Sequence, residues 1–361
     1  MSPFIRTSIL SLGAAVLATS LSACQDPGTT SPKTPDVDPN TYILPKLDST
    51  LPAMIIPKDN PLTKAGVRLG RRLFYDSILS GALNKSCAFC HSQKSAFADA
   101  GMTHSIGAGG AFSTLNSPNI VNLGWGSVQF WDGRAADLEA QALAPVANPE
   151  ELNLPWVDAM ARLKAHPEYP ALFQEAFGSS EPDSMLVVKA IAQFERTLIS
   201  YNSKYDKWKR GEADLTESEY RGNTIFFSER GECFRCHNAP LFTDNDFHNN
   251  GLDSVFEQED RSTVPGNSTE VGKWKTPTLR NVAVTPPYMH DGRIVSMEDA
   301  IEHYNSGIIP TPTLDPYLSG IFSRPPAQRF TDQEKTDLLA FLNCLTDSTF
   351  LTNPDFGPPT D

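Results

Sequence analysis

The residues best placed to do chemistry form one five-residue phrase that occurs twice: Cys87-Ala88-Phe89-Cys90-His91 and Cys233-Phe234-Arg235-Cys236-His237. In C-x-x-C-H, two thiols two residues apart can add across the two vinyl groups of a haem, and the adjoining imidazole ligates the iron. Two other uses of paired cysteines compete with this one. A zinc ribbon places its C-x-x-C knuckles about 15–20 residues apart, whereas about 140 residues separate Cys90 from Cys233. A thioredoxin-like pair follows a strand in a βαβ unit, and neither copy is preceded by a strand pattern. The spacing therefore points to two covalently held c-type haems. Cys87, Cys90, Cys233 and Cys236 attach them, and His91 and His237 ligate the irons.

The other cysteines have separate roles. Of six in the chain, Cys24 follows Leu21-Ser22-Ala23, after a short apolar run from Ile9 to Leu21 that begins beyond Arg6. Small residues just before a cysteine mark a bacterial lipoprotein leader, with cleavage after residue 23 and acylation of Cys24. An ordinary secretory leader with a cysteine that happens to follow is the plainer alternative. Both send the protein out of the cytoplasm, to a periplasmic location and, with the lipid, to a membrane surface. Cys344 lies among Leu338, Leu339, Phe341, Leu342 and Leu345 and reads as a buried, inert thiol.

Residues 24–45 are rich in Pro, Thr, Asp and Ser and read as a tether. With 43 acidic against 30 basic residues, the formal charge of −13 argues against nucleic acid as a partner. Leu62, Ala65, Leu69 and Leu73 form one helical stripe, and Leu186, Ala190, Ile191, Phe194 and Leu198 another. Thr216 with Glu219 and Thr331 with Glu334 are capping boxes. Strand alternation is scarce, and Pro and Gly fill long connections. The expected fold is mainly α: two cytochrome c-like haem domains with long irregular loops. Leu73-Phe74-Tyr75-Asp76 before the first motif is echoed by Ile225-Phe226-Phe227-Ser228 before the second. The domains are accordingly placed at 46–200 and 201–345. Residues 346–361 form a tail, expected to be unstructured after Leu351.

Further stretches carry a family likeness. Leu69-Gly70-Arg71-Arg72-Leu73-Phe74-Tyr75-Asp76, Phe130-Trp131-Asp132-Gly133-Arg134-Ala135-Ala136-Asp137-Leu138, Phe194-Glu195-Arg196-Thr197-Leu198, Thr278-Leu279-Arg280-Asn281-Val282 and Pro287-Tyr288-Met289-His290-Asp291-Gly292 follow one another in order. Together they resemble the bacterial dihaem cytochrome c peroxidases, a family that includes the MauG-type enzymes. The resemblance implies that the N-terminal haem meets peroxide and the C-terminal haem receives electrons. It makes Trp131 the relay between them, and puts Gln141 and Glu151 at the peroxide pocket, the carboxyl as acid–base group. It also implies a calcium site at Asn116, Thr285 and Pro287, built from oxygen ligands. Family members are often homodimers. Read without the family, Trp131 would be a core tryptophan, and Glu150 with Glu151 a solvated pair.

Two departures from the peroxidase pattern stand out. A loop histidine caps the first haem in the peroxidases proper, and Ala108, in Ser105-Ile106-Gly107-Ala108-Gly109, stands in its place. Alanine cannot ligate iron, so the N-terminal haem is expected to be open, with His104 or Met102 as substitute ligands nearby. The peroxidases also place a methionine over the C-terminal haem, where this chain has Tyr304, fourteen residues after His290 as in the MauG-type branch. A phenolate is a hard ligand that favours oxidised iron; His303 and Met289 are the alternatives. His166 reads as a surface residue, and His248 as a hydrogen-bonding residue near the second haem.

Three functions follow. The first is a cytochrome-c peroxidase that reduces hydrogen peroxide to water with electrons from a small cytochrome c or cupredoxin. The second is a MauG-like oxidase that modifies residues of a partner protein, toward which Ala108 and Tyr304 lean. The third is a dihaem electron carrier without substrate chemistry, which would have no use for an acid–base pair beside an open iron.

Overall fold

The computed structural model describes residues 38–45, 47 and 51–360. The leader, Cys24 and most of the tether lie outside the described residues. The chain divides into Met1–Pro39, of which only residues 38–39 are described, and the unit Asn40–Asp361, to which everything below refers. It is mainly helical, as the sequence pattern requires. Among the described residues no helix is long and apolar enough to cross a membrane.

Helix α1, Lys64–Tyr75, starts where the Thr63 hydroxyl accepts from the Gly66 N–H, and it buries Ala65, Leu69 and Leu73. A short turn, α2, Cys87–Cys90, carries the first haem motif. Then come α3, Leu138–Ala147, α4, Trp156–Ala165, α5, Tyr169–Phe177, and α6, Ser184–Glu195. The second half runs through α7, Lys204–Lys209, and α8, Glu217–Phe226. It continues with α9, Met297–Glu302, α10, Pro316–Phe322, and α11, Asp332–Asn343. Both expected capping boxes form, Thr216 with Glu219 on α8 and Thr331 with Glu334 on α11. A two-residue antiparallel ladder pairs β1, Phe247–His248, with β2, Trp274–Lys275, in the register Phe247–Lys275 and His248–Trp274.

Each half is built on one crossed helix pair. In the first, α1 packs on α6 so closely that a Cβ at Gly70 would fall 1.8 Å from the Ala190 carbonyl oxygen. In the second, α8 packs on α11, and a Cβ at Gly222 would fall 1.9 Å from the Asp337 carbonyl oxygen. Only glycine permits either approach. One apolar core gathers Leu69, Leu73, Phe74, Phe97, Ile191 and Phe194, and a second gathers Tyr205, Phe226, Phe242, Leu338, Phe341 and Cys344. Cys344 is thus buried, as its apolar setting implies. Hydrogen bonds tie the halves together, among them Asn281 Nδ2 to Ser200 Oγ at 3.0 Å and Asn116 N–H to the His290 carbonyl at 2.8 Å.

The segment after Leu351 corrects one expectation. Helix α12, Ser348–Thr352, buries Phe350 against Phe97, with ring centroids 5.7 Å apart, and against Phe356 at 5.4 Å. Beyond it, Arg71 Nε donates to the Gly357 carbonyl and the Tyr75 hydroxyl to the Phe356 carbonyl, each at 2.7 Å. Two aromatic anchors hold this stretch on α1, and two isolated apolar residues leave no periodic signal in a sequence.

Candidate active site

Both haem motifs turn back on themselves in the same way. The His91 N–H donates to the Cys87 carbonyl and the His237 N–H to the Cys233 carbonyl, each at 2.9 Å. Each imidazole then donates through Nδ1, His91 to the Phe97 carbonyl at 2.8 Å and His237 to the Phe242 carbonyl at 3.2 Å. That bond fixes the tautomer and leaves the Nε2 lone pair for a metal. Burial lowers both histidine pKa values, so the rings stay neutral and able to ligate.

The thiols point the same way. Burial pushes Cys87 and Cys233 up to about 12 and Cys90 up to about 11. Redox-active cysteines need the opposite shift. Among the described residues, no metal-ligating cluster joins the two copies, which removes the zinc reading. The cluster that does form is Cys236, Asp244 and His248. Here His248 Nε2 meets Asp244 at 2.8 Å and Nδ1 meets Asp315 at 2.7 Å. Burial alone would lower the His248 pKa, but the two carboxylates outweigh it and push it up to about 12. A ring protonated on both nitrogens is a hydrogen-bonding cation and cannot ligate a metal.

A cavity of about 740 Å³ opens beside the first motif, within the range of cofactor sites. Cys87, Cys90, His91, Gln141, Glu151 and Trp131 all line it, so the residues expected around the N-terminal haem share one space. No other histidine and no methionine among the described residues lines it; Ser105, Ile106 and Gly107 do, while His104 and Met102 do not. Ala108 is buried, its N–H donating to the Glu151 carbonyl at 2.6 Å.

Glu151 owes its position to the end of α3. Pro145 sits in the last turn of that helix, and the chain reverses after Asn148. The Leu152 N–H then donates to the Pro145 carbonyl at 3.0 Å and the Leu154 N–H to the Val146 carbonyl at 2.7 Å. Asn148 Nδ2 donates to the Glu151 carboxyl at 2.9 Å. Burial pushes the Glu151 pKa up, against the opposing pull of Asn148 and Arg134. A carboxyl held above its ordinary range is a stronger base than a free carboxylate, which suits it to take a proton and return it. Gln141, on α3, reaches the same cavity from the side.

Trp131 stands at the tip of a loop closed by the Gln129 N–H on the Ala135 carbonyl at 2.8 Å. Its indole donates to the Asn116 carbonyl at 2.8 Å, and its own carbonyl accepts from the Lys275 N–H at 2.8 Å. Trp131 is therefore bonded to both halves, to the first through its indole and to the second through its carbonyl. Of the three calcium candidates, Asn116 and Pro287 both abut Gly292. Asn116 Nδ2 donates to the Met102 carbonyl at 2.9 Å, and the Thr285 hydroxyl is bonded to the Val282 carbonyl at 3.1 Å.

At the second motif, Tyr304 lies in a π-helical turn, His303–Gly307, close enough to Cys233 and Cys236 to feel both electrostatically. Burial pushes its phenol up to about 12. All three candidate ligands meet Asn250, Tyr304 through a hydrogen bond with its side chain. His303 Nε2 donates to the Asn250 carbonyl at 3.0 Å, and Met289 Sδ accepts from Asn250 Nδ2 at 3.2 Å. These features fit two c-type haems, and nothing in either motif opposes them.

Comparison with known proteins decides the family. The family model described as di-haem cytochrome c peroxidase matches residues 64–214. The methylamine utilization protein MauG of Methylorubrum extorquens is 37% identical over 80% of this chain and 80% of its own length. The chain belongs to the dihaem cytochrome c peroxidase family. Membership brings two haem c groups and oxidoreductase chemistry. The cytochrome c551 peroxidase of Nitrosomonas europaea is 34% identical over 81% of each chain. A crystal structure of a MauG-like protein associated with microbial copper homeostasis superposes with a TM-score of 0.77, at 34% identity, over 87% of this chain and 98% of that one. Both branches of the family are thus represented at similar distance.

Two residues of this cavity escape a reading of the sequence. Glu195 stands out there only as part of a family stretch and Lys275 not at all, yet both line the cavity, Glu195 buried and Lys275 half-buried. A charged residue at one position of an otherwise apolar helix stripe is the available signal for Glu195.

Proposed function

We propose that the protein is a peroxidase acting outside the cytoplasm, which reduces hydrogen peroxide to water with electrons from a small cytochrome c or cupredoxin. The haem on Cys87 and Cys90 would supply the redox iron that meets peroxide, and the haem on Cys233 and Cys236 would take in electrons. His91 and His237 would hold those irons through Nε2. Glu151 moves a proton between the two peroxide oxygens, and Gln141 orients the substrate with its amide. Trp131, polarisable and bonded to both halves, serves as the relay. Tyr304 would be the second residue to hold the C-terminal iron, and Asn116, Thr285 and Pro287 would offer oxygens to a calcium ion. Residues 46–200 and 201–345 are the two haem modules, and a lipid on Cys24 holds the protein at a membrane.

One observation carries this reading: the half-buried Glu151 carboxyl, its pKa raised, shares a cavity with His91, and no second histidine and no methionine among the described residues lines it. A carrier without substrate chemistry has no need of that arrangement. Steady-state peroxide consumption with a reduced cytochrome c tests it. Glu151→Gln should lower turnover about 10²–10⁴-fold, the range for removal of a general acid–base group. Turnover unchanged in Glu151→Gln would remove the residue from the mechanism.

The partner-protein oxidase is the second reading, favoured by the position of Tyr304 near Cys233 and Cys236. Peroxide-dependent modification of a partner protein, with no turnover of small redox donors, would decide for it.

A further inference from the structure

Glu195 ends α6 one helical turn beyond Ile191, and both side chains line the cavity that holds His91, Gln141 and Glu151. Only 4% of Glu195 is exposed, and its Oε2 has no hydrogen-bond partner among the described residues. The cation beside it is committed elsewhere, since Arg196 donates to both oxygens of Glu139, at 2.7 and 2.8 Å. From α1, which packs on α6, Arg68 is paired with Glu175 and Arg72 with Glu168. Cys87, the other titratable neighbour, is a neutral thiol and becomes a neutral thioether once haem is attached. Burial pushes Glu195 up to about 8, with Arg196 opposing and Glu139 adding to the shift. The group is therefore an uncharged acid at neutral pH.

A buried carboxyl without a partner contributes nothing to packing that leucine or glutamine would not. Its place in the peroxide cavity gives it a use. Peroxide reduction takes up two electrons and two protons, breaks the O–O bond and yields two waters. Glu151, taking a proton from one oxygen and returning it to the other, makes no net contribution to those two protons. On the peroxidase reading, we propose that Glu195 is a second proton-carrying carboxyl of this cavity, which delivers one of the two protons consumed per peroxide. The electrons come from the redox donor; the second proton, and the one that recharges the Glu195 carboxylate, come from the solvent through water in the cavity.

The test uses holoprotein with both haems, its loading checked by mass, as wild type, Glu195→Gln and Glu195→Asp. Infrared difference spectra between about pH 6 and about pH 9, either side of an acid titrating near 8, should show a protonated-carboxyl band in wild type that is missing in Glu195→Gln. Peroxide consumption by wild type should fall about tenfold per pH unit above about 8. Glu195→Gln should be about 10²-fold slower below that point and lack the falling limb. Glu195→Asp, which keeps the acid, should retain a falling limb even if Glu195→Gln loads haem poorly. No carboxyl band assignable to Glu195, or a wild-type rate and pH profile in Glu195→Gln, would overturn the proposal alone. A failed peroxidase reading looks different: no variant consumes peroxide while the band is intact, and the proposal falls with it.

Discussion

Trp131 and His290 occupy the same place in two copies of one loop. The first runs Gln129-Phe130-Trp131-Asp132-Gly133-Arg134-Ala135 and the second Tyr288-Met289-His290-Asp291-Gly292-Arg293-Ile294. Each is closed by an antiparallel bridge between its end residues, and each has a positive φ at its second residue, 68° at Phe130 and 74° at Met289. Asn116 joins the copies, accepting from the Trp131 indole through its carbonyl and donating its N–H to the His290 carbonyl, both at 2.8 Å. The His290 ring is stacked on Trp274, with centroids 4.1 Å apart.

Trp131→Phe keeps an aromatic ring in place but removes the donor to Asn116. The lost hydrogen bond should cost about 1 kcal/mol of stability. Donor-supported peroxide turnover should fall by about tenfold or more, equivalent to a barrier higher by about 1.4 kcal/mol. Optical spectra of both haems should be unchanged. Stopped-flow transfer between the haems, compared with equilibrium unfolding, separates the two effects. Unaltered transfer would make Trp131 a structural residue.

The ligand of the second haem can be read from spectra of the oxidised holoprotein. Tyr304→Phe should change the C-terminal haem bands, while His303→Gln and Met289→Leu should leave them as they are, if Tyr304, which lies close to Cys233 and Cys236, is the ligand. A change in either of the last two with none in Tyr304→Phe would move the ligand assignment to that residue.

Glycine at the two helix crossings is a steric requirement. Gly70→Ala and Gly222→Ala should each destabilise the protein by about 1–3 kcal/mol, the usual cost of overpacking. Gly320, on α10, has open space around its Cα and serves as the control. Alanine there should be neutral or stabilising by up to about 1 kcal/mol. Chemical unfolding of the three variants side by side gives the comparison.

The chemistry legible in the amino-acid sequence is the kind that local spacing encodes. The C-x-x-C-H pairs, the apolar stripes of α1 and α6 and the two capping boxes are all short-range patterns, and the fold keeps them. The duplication is legible only in part. The Leu73-Phe74 and Ile225-Phe226 echo stands out, but Trp131-Asp132-Gly133-Arg134 and His290-Asp291-Gly292-Arg293 do not read as a pair, because the residue at the tip differs. The hold of Phe350 and Phe356 on α1, the half-buried Lys275 bonded to Trp131 and the unpaired Glu195 all depend on contacts between residues far apart in the chain. None leaves a periodic trace, and Glu195 reads as an ordinary helix glutamate until Arg196 is seen to face Glu139.

That ion pair makes a last prediction with a defined sign. Arg196 and Glu139 are 4% and 7% exposed and bonded through both oxygens. Burial alone would raise the Glu139 pKa, but Arg196 and Asn60 outweigh it and hold the carboxyl below its usual range. A carboxyl lowered on folding stabilises the native state above its unfolded value, and that contribution is lost as pH falls through the folded one. Arg196→Met leaves Glu139 buried without a cation, with only the Asn60 amide still donating to it, and should destabilise the protein by about 3–5 kcal/mol at neutral pH. The deficit should begin to shrink above about 4, because burial without the cation raises Glu139 in the variant, and should go on shrinking below it as wild-type Glu139 takes up its own proton. Arg196→Met combined with Glu139→Gln removes the charge altogether and should recover most of the loss at neutral pH. Thermal unfolding of wild type, the single and the double variant across that pH range checks all three statements. A deficit in Arg196→Met that stays constant from neutral to acid pH would mean that lost packing, not the stranded carboxylate, causes it.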